Sequence, residues 1–171
     1  SSTITGMNRG ATVSYLSRLV MTDTTLVANA ADGIGLEVFN GKASAVRGTI
    51  VGGLNGIKVS DYINSEDAVI DLDSTTVIGR TGAAIIVENY DSGATHTHIN
   101  VMNGSTLTGG NGKLLEVNGT STATLRVGDS NTQLVGDVTA ASGATANVIL
   151  ENQATLSGRL ENLTSLAINS Q

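Results

Sequence analysis

One short phrase recurs six times in this chain and limits what the chain can fold into. It reads Thr25-Leu26-Val27-Ala28, Thr49-Ile50-Val51-Gly52, Thr76-Val77-Ile78-Gly79, Thr106-Leu107-Thr108-Gly109, Gln133-Leu134-Val135-Gly136 and Thr155-Leu156-Ser157-Gly158. Each copy holds an aliphatic anchor, one variable residue and a small residue, which is Gly in five of the six. The anchors Leu26, Ile50, Val77, Leu107, Leu134 and Leu156 are separated by 24, 27, 30, 27 and 22 residues. Self-similarity at such a period marks a solenoid, in which each repeat buries its apolar face only against its neighbours.

Two further apolar segments accompany most anchors. Seven or eight residues after the anchor come Ile34-Gly35-Leu36-Glu37-Val38, Ile57-Lys58-Val59, Ile85-Ile86-Val87 and Leu114-Leu115-Glu116-Val117. Alternation such as Ile57-Lys58-Val59 is the period of a half-buried strand. A third segment precedes the next anchor: Val69-Ile70-Asp71-Leu72, Ile99-Asn100-Val101, Leu125-Arg126-Val127 and Val148-Ile149-Leu150. The corners between anchor and second segment read Ala31-Asp32-Gly33, Leu54-Asn55-Gly56, Arg80-Thr81-Gly82 and Asn111-Gly112, residue types that tolerate positive φ. Three short strands per repeat predict an all-β fold, a right-handed parallel β-helix of about six coils, the hand following the general rule for parallel crossovers. At a strand spacing of roughly 4.8 Å, such a rod is roughly 30 Å long.

Residues 1–24 carry the weakest period and are expected to form an irregular or incomplete first coil, with regular coils over 25–171 in a single domain. Within them, Val13–Val20 fits either a strand or one helical turn. Protruding loops are expected at Asn89–His98, inside the longest step, and at Val138–Thr145. Asn29, Asn55, Asn103, Asn118, Asn131 and Asn152 fall at turns, where stacked amides can bond coil to coil.

Composition fits a narrow, layered interior. Aromatic residues make up only 2% of the chain, Tyr15, Phe39, Tyr62 and Tyr90, and there is no Pro to interrupt a ladder. The net charge of −6 argues against nucleic acid, and no apolar run is long enough to span a bilayer as a helix. Met7 is not followed by a charged and apolar leader, so any export signal is expected outside this sequence. Without Cys, neither a disulfide, a thiolate metal site nor a Cys nucleophile exists.

The candidate chemistry is sparse. Gly128-Asp129-Ser130-Asn131 resembles the nucleophile block of one esterase superfamily, but the partner blocks holding its acid and base are missing, and Asn131 stands where the serine-protease form has Gly. The expectation is a polar turn. His96 and His98 would share a face if they lay on a strand and could begin a metal site, with Glu88 and Asp91 as the nearest acids; a solvated loop is the plainer reading. Asp71 and Asp73 would point the same way from a strand, as the acid pair of a glycosidase does, but the next repeat offers Asn100 and Met102 at the matching positions. Arg9-Gly10-Ala11 and Arg47-Gly48-Thr49 lack the Asp of an integrin-type tripeptide. Sequons at Asn103, Asn118 and Asn162 have meaning only in a eukaryotic secretory path. No catalytic residue, metal ligand or cofactor is therefore expected.

The unit from Ile70 to Val87 resembles the passenger repeats of classical autotransporters of Gram-negative bacteria, in the pertactin-like and diffuse-adherence-adhesin-like branch. The tail, Asn152-Gln153-Ala154-Thr155-Leu156-Ser157-Gly158 followed by Leu163-Thr164-Ser165-Leu166-Ala167-Ile168-Asn169, resembles the last coils of such passengers. The resemblance covers residues 25–171. It implies a β-helical rod exposed on the bacterial surface, carried across the outer membrane by its own barrel, which this sequence does not include. It further implies adhesion or self-association without catalysis, with a host surface ligand or another copy of the chain as partner. A polysaccharide-acting β-helix (lyase, glycosidase or tailspike) and a passive stalk are the alternatives.

Overall fold

The computed structural model describes residues 1–61, 66–90 and 95–169. Among them lie 21 strands and no helix, so no helix is long and apolar enough to cross a membrane. The first coil holds β1 (Ser2–Gly6), β2 (Arg9–Ser14) and β3 (Arg18–Thr22). The second holds β4 (Thr24–Ala28), β5 (Ile34–Phe39) and β6 (Lys42–Val46). The third holds β7 (Thr49–Gly52), β8 (Asn55–Asp61) and β9 (Ala68–Asp73). The fourth holds β10 (Thr76–Gly79), β11 (Ile85–Asn89) and β12 (His96–Met102). The fifth holds β13 (Thr106–Gly109), β14 (Lys113–Val117) and β15 (Thr122–Val127). The sixth holds β16 (Gln133–Val135), β17 (Asp137–Ala140) and β18 (Thr145–Glu151). The last holds β19 (Thr155–Ser157), β20 (Leu160–Glu161) and β21 (Ser165–Asn169).

These triplets stack into a parallel β-solenoid of about six turns. Sheet A joins β1, β4, β7, β10 and β13. Sheets B and C join the second and third strands of every coil, and β16 and β19 form a separate pair in line with sheet A. The core is a set of columns of like residues, because parallel stacking in register places each inward position directly over its equivalent. On sheet A the column is Ile4, Leu26, Ile50, Val77 and Leu107. On sheet B it is Val13, Val38, Val59, Val87, Val117 and Ala140. On sheet C it is Leu19, Ala43, Ile70, Ile99, Leu125, Val148 and Leu166. No ring of the described aromatic residues lies in this core. Of the six anchors, five are buried and Leu156, in the last coil, is partly buried against the core.

Residues 1–24 are a full three-strand coil rather than an incomplete one. The residue equivalent to the anchors is Ile4, paired with Leu26, and Leu19 heads a column on sheet C. Ile4 is 50% exposed. Val13–Val20 divides between the end of β2 and the start of β3, which meet at a turn where Leu16 has φ of 57°. The loop expected at Val138–Thr145 is also corrected. Val138, Thr139 and Ala140 pair with β14, and only a tight turn closed by Ala144 N–H donating to Ala141 O remains. In the other expected loop, Asp91–Ala94 lie outside the described residues, while His96–His98 belong to β12.

Of the corner glycines named from composition, only Gly112 has positive φ, at 83°. Among the described residues it gathers after sheet C, at Asp23, Arg47, Ser74, Asn103 and Asn152, and in the turns between sheets B and C, at Leu16, Asn40, Gly119, Gly143 and Asn162. The corner after sheet C is also polar inside. Thr75 and Ser105 are fully buried there. The Thr75 N–H donates to Ser105 Oγ at 2.9 Å, and that hydroxyl lies 2.8 Å from Met102 O and 3.1 Å from Leu72 O. The Thr75 hydroxyl in turn accepts the Gly48 N–H at 3.2 Å. Removing the Ser105 hydroxyl strands the Thr75 N–H away from water. Ser105→Ala is expected to cost about 1–3 kcal/mol in urea denaturation, whereas an unchanged midpoint would mean that the corner relaxes to find another acceptor.

The asparagines bond coil to coil as expected at four positions, Asn29 Oδ1 accepting Arg80 Nη1 at 3.3 Å. Asn55 Nδ2 donates to Ala83 O at 3.1 Å, Asn103 Nδ2 to Asp73 Oδ1 at 2.9 Å, and Asn152 Nδ2 to Gly128 O at 2.9 Å. Asn118 Nδ2 instead donates to Glu116 Oε1 within its own coil, and Asn131 donates its backbone N–H to Asp129 Oδ1.

Candidate contact faces

Strand alternation turns every second residue outward, so each sheet presents columns of side chains to solvent. On sheet B one outward column reads Thr12, Glu37, Lys58, Ile86, Glu116, Thr139 and Glu161. It is tied by ion pairs: Arg9 with Glu37, Lys58 with Glu88 at 3.9 Å, and Lys113 with Glu116 at 3.6 Å. On sheet C the central outward column reads Val20, Ser44, Asp71, Asn100, Arg126, Ile149 and Ala167. Arg126 pairs with Glu151 at 2.6 Å.

Sheet A differs. Its outward columns are Thr3, Thr25, Thr49, Thr76, Thr106 and Thr5, Val27, Val51, Ile78, Thr108. None of its strands contains a charged residue. Four of the five column threonines, Thr25, Thr49, Thr76 and Thr106, each begin a copy of the repeated phrase, a regularity of type that the stacking turns into a column.

The corner after sheet C carries the charges that flank this face. Arg47 grips Asp23 of the previous coil in a two-pronged pair, Nε to Oδ1 at 2.8 Å and Nη2 to Oδ2 at 2.9 Å. The Arg47 hydrogen bond holds the Asp23 carboxyl below its ordinary value. Arg47-Gly48-Thr49 is therefore a structural clasp.

Gly128-Asp129-Ser130-Asn131 is a turn, as the sequence predicted, and Asp129 organises it. Asp129 Oδ1 accepts the Asn131 N–H at 3.0 Å and the Thr132 hydroxyl at 3.1 Å, while Oδ2 accepts the Asn103 N–H from the coil before at 2.6 Å. Partial burial pushes the Asp129 carboxyl up, but these donors outweigh it and hold it below its ordinary value. Ser130 follows the end of β15, whereas His96 pairs with Thr122 at the start of that strand. Nucleophile and base thus lie at opposite ends of sheet C, and the structure does not bring them together.

Asp71 and Asp73 do share the outer side of β9, and both are engaged. Asp71 Oδ1 accepts Asn100 Nδ2 at 2.7 Å, and Asp73 Oδ1 accepts both Asn103 Nδ2 at 2.9 Å and the Ser74 hydroxyl at 2.9 Å.

His96 and His98 are on a strand rather than in a solvated loop. Their rings stack with centroids 4.2 Å apart and an interplanar angle of 22°. The residue that the sequence did not point to is Asp67. Its Oδ2 lies 3.0 Å from His98 Nε2, and its Oδ1 accepts the His96 N–H at 3.2 Å. Only the register of β9 against β12 brings it there. His96 Nε2 sits 2.7 Å from Thr124 Oγ1. Among the described residues, no group of three or more His, Cys, Asp or Glu is placed to hold a metal ion. Asp91, named as a nearby acid, lies outside the described residues.

Burial lowers the His96 pKa, and the neighbouring His98 lowers it further, against the opposite pull of Asp67. A histidine that titrates lower folded than unfolded binds fewer protons folded. Stability therefore rises with pH between its folded value and the unfolded one near 6.5, and falls as pH drops through that window. In a proton NMR titration His96 is expected to titrate below an unstructured histidine, and His98→Asn should move it part of the way back. A His96 midpoint at the unstructured value would contradict the packing described here.

No family model, no curated protein and no solved structure matches this chain at a significant level.

Proposed function

We propose that this chain is the rod of a surface adhesin: a β-solenoid, exported and held at a Gram-negative cell surface by a barrel outside this sequence, that sticks to a host surface ligand or to other copies of itself without catalysis. The observation that carries the reading is the use of the outer side chains. The carboxylates of Asp71, Asp73 and Asp129 are each committed to hydrogen bonds within a turn or between coils, which leaves the outer faces of the stacked sheets for contact. The sequence resemblance to autotransporter passengers supports the same role.

Contact through a narrow face is weak per copy and gains strength from many copies. Beads densely coated with the purified chain are therefore expected to clump or to be retained on host cells, with sparsely coated beads retained far less. Dense beads that neither clump nor adhere, carrying chain with intact β circular dichroism, would leave the chain as a passive stalk. Turnover of a polysaccharide or an ester that is lost on Asp71→Asn or Ser130→Ala would instead establish an enzyme.

A further inference from the structure

Folding constrains the inward columns of a solenoid and leaves the outward ones free to vary. Sheets B and C show that freedom, mixing acids, bases, amides and aliphatics along single columns. Sheet A does not. Five successive coils place Thr at one outward position, paired in direct register with no shift, and a Thr or a β-branched aliphatic at the other. Unequal coil lengths leave this face untouched, because the extra residues fall elsewhere. Such regularity on a solvent face calls for a ligand that is itself periodic.

The grid has definite dimensions. Successive rungs are roughly 4.8 Å apart, and the two columns on each strand are roughly 6.6 Å apart. Every side chain in it is β-branched, so χ1 is stiff and the grid holds its shape. Each Thr offers a hydroxyl that both donates and accepts, beside a methyl group. Methyl groups restrict the water around them and hydroxyls anchor it, and Thr106 Oγ1 donates to Thr76 Oγ1 at 3.3 Å along the column. Spacings of this size are close to the oxygen repeats on the prism faces of hexagonal ice.

Other occupants fit less well. A face about 20 Å by 10 Å falls well short of the roughly 800 Å² per partner of a stable protein interface. It carries no ring to stack on a sugar and no charge to hold an ionic partner. We infer that the outer face of sheet A is an ice-binding surface, with Thr25, Thr49, Thr76 and Thr106 as its hydroxyl column and Val27, Val51 and Ile78 beside them.

The test is partition of fluorescently labelled chain into slowly growing ice. The parent chain is expected to enter the ice, and Thr49→Lys with Thr76→Lys to be excluded from it. Ser44→Lys, on the outer face of sheet C, should enter like the parent. Thermal melts by circular dichroism check that each variant remains folded. If the lysine pair unfolds the rod, Thr49→Ser with Thr76→Ser keeps the hydroxyls and removes the methyl groups, and reduced entry is then expected. Exclusion of the parent chain from ice overturns the inference, as does undiminished entry of the folded lysine variant. A dimer in sedimentation that Thr76→Lys abolishes, without entry into ice, would assign the face to a second copy and also overturn it.

Discussion

Ile50→Asp is expected to leave no intact rod. Ile50 is fully buried and lies in the middle of its column, with Leu26 on one side and Val77 on the other. Truncating such a side chain to Ala costs about 2–5 kcal/mol from lost burial and the cavity left behind. Asp removes the same apolar contact and adds a carboxylate with no partner, which must be buried charged or take up a proton. The combined loss rivals the whole stability of an ordinary domain, about 5–15 kcal/mol. In a solenoid each coil is stabilised by its neighbours, so the break separates the coils on either side. Far-UV circular dichroism should show loss of β signal, and limited proteolysis should cut near the third coil. A variant that melts like the parent would mean that the column is not the main source of stability.

Gly52→Ala is expected to be nearly as damaging, for a reason of space. A Cβ at Gly52 would stand 1.8 Å from Asn55 O and 2.7 Å from Gly33 O, both backbone atoms that cannot swing aside. The corner from β7 to β8 has only Gly53 and Leu54 between the strands. At the equivalent position of the previous coil Ala28 is accommodated, because five residues separate β4 from β5 there. The backbone at Gly52 must move, and a loss of about 3 kcal/mol or more is expected in urea denaturation. Gly112 provides the contrast. It has φ of 83° but nothing within 4 Å of an added Cβ, so Gly112→Ala should cost only about 1–2 kcal/mol, the strain of that backbone conformation. Equal losses at the two sites would contradict the steric account of the small residue.

That contrast also shows how far local pattern can be read. The small residue closing the repeated phrase was legible in the sequence, but its cause was not. The corner glycines suggested positive φ, which Gly112 adopts, while at Gly33, Gly56 and Gly82 a backbone oxygen approaches closely instead. The left-handed conformation falls on Asp23, Arg47, Ser74, Asn103 and Asn152, five positions with four different side chains and no shared pattern along the chain. They become a column only when the coils are stacked. The sixth coil hid its second strand for a similar reason. Val138 follows its anchor by four residues rather than seven or eight, because Gly136 alone separates β16 from β17.

By itself the sequence determined the solenoid, its repeat, most of its anchors and its aliphatic core. All of these depend on apolar periodicity along the chain, which burial imposes residue by residue. It also identified Gly128-Asp129-Ser130-Asn131 as a turn, since Gly, Asp and Asn are turn residues in any context. Only the tertiary structure placed Asp67 beside His98, Arg47 on Asp23, Ser105 under Thr75 and the threonines in one straight column. Each of these pairs residues from neighbouring coils, roughly 20–30 positions apart in the chain. Coil lengths vary, so sequence spacing does not predict which residues meet. The register that decides it is set by backbone ladders and by the packing of the whole core.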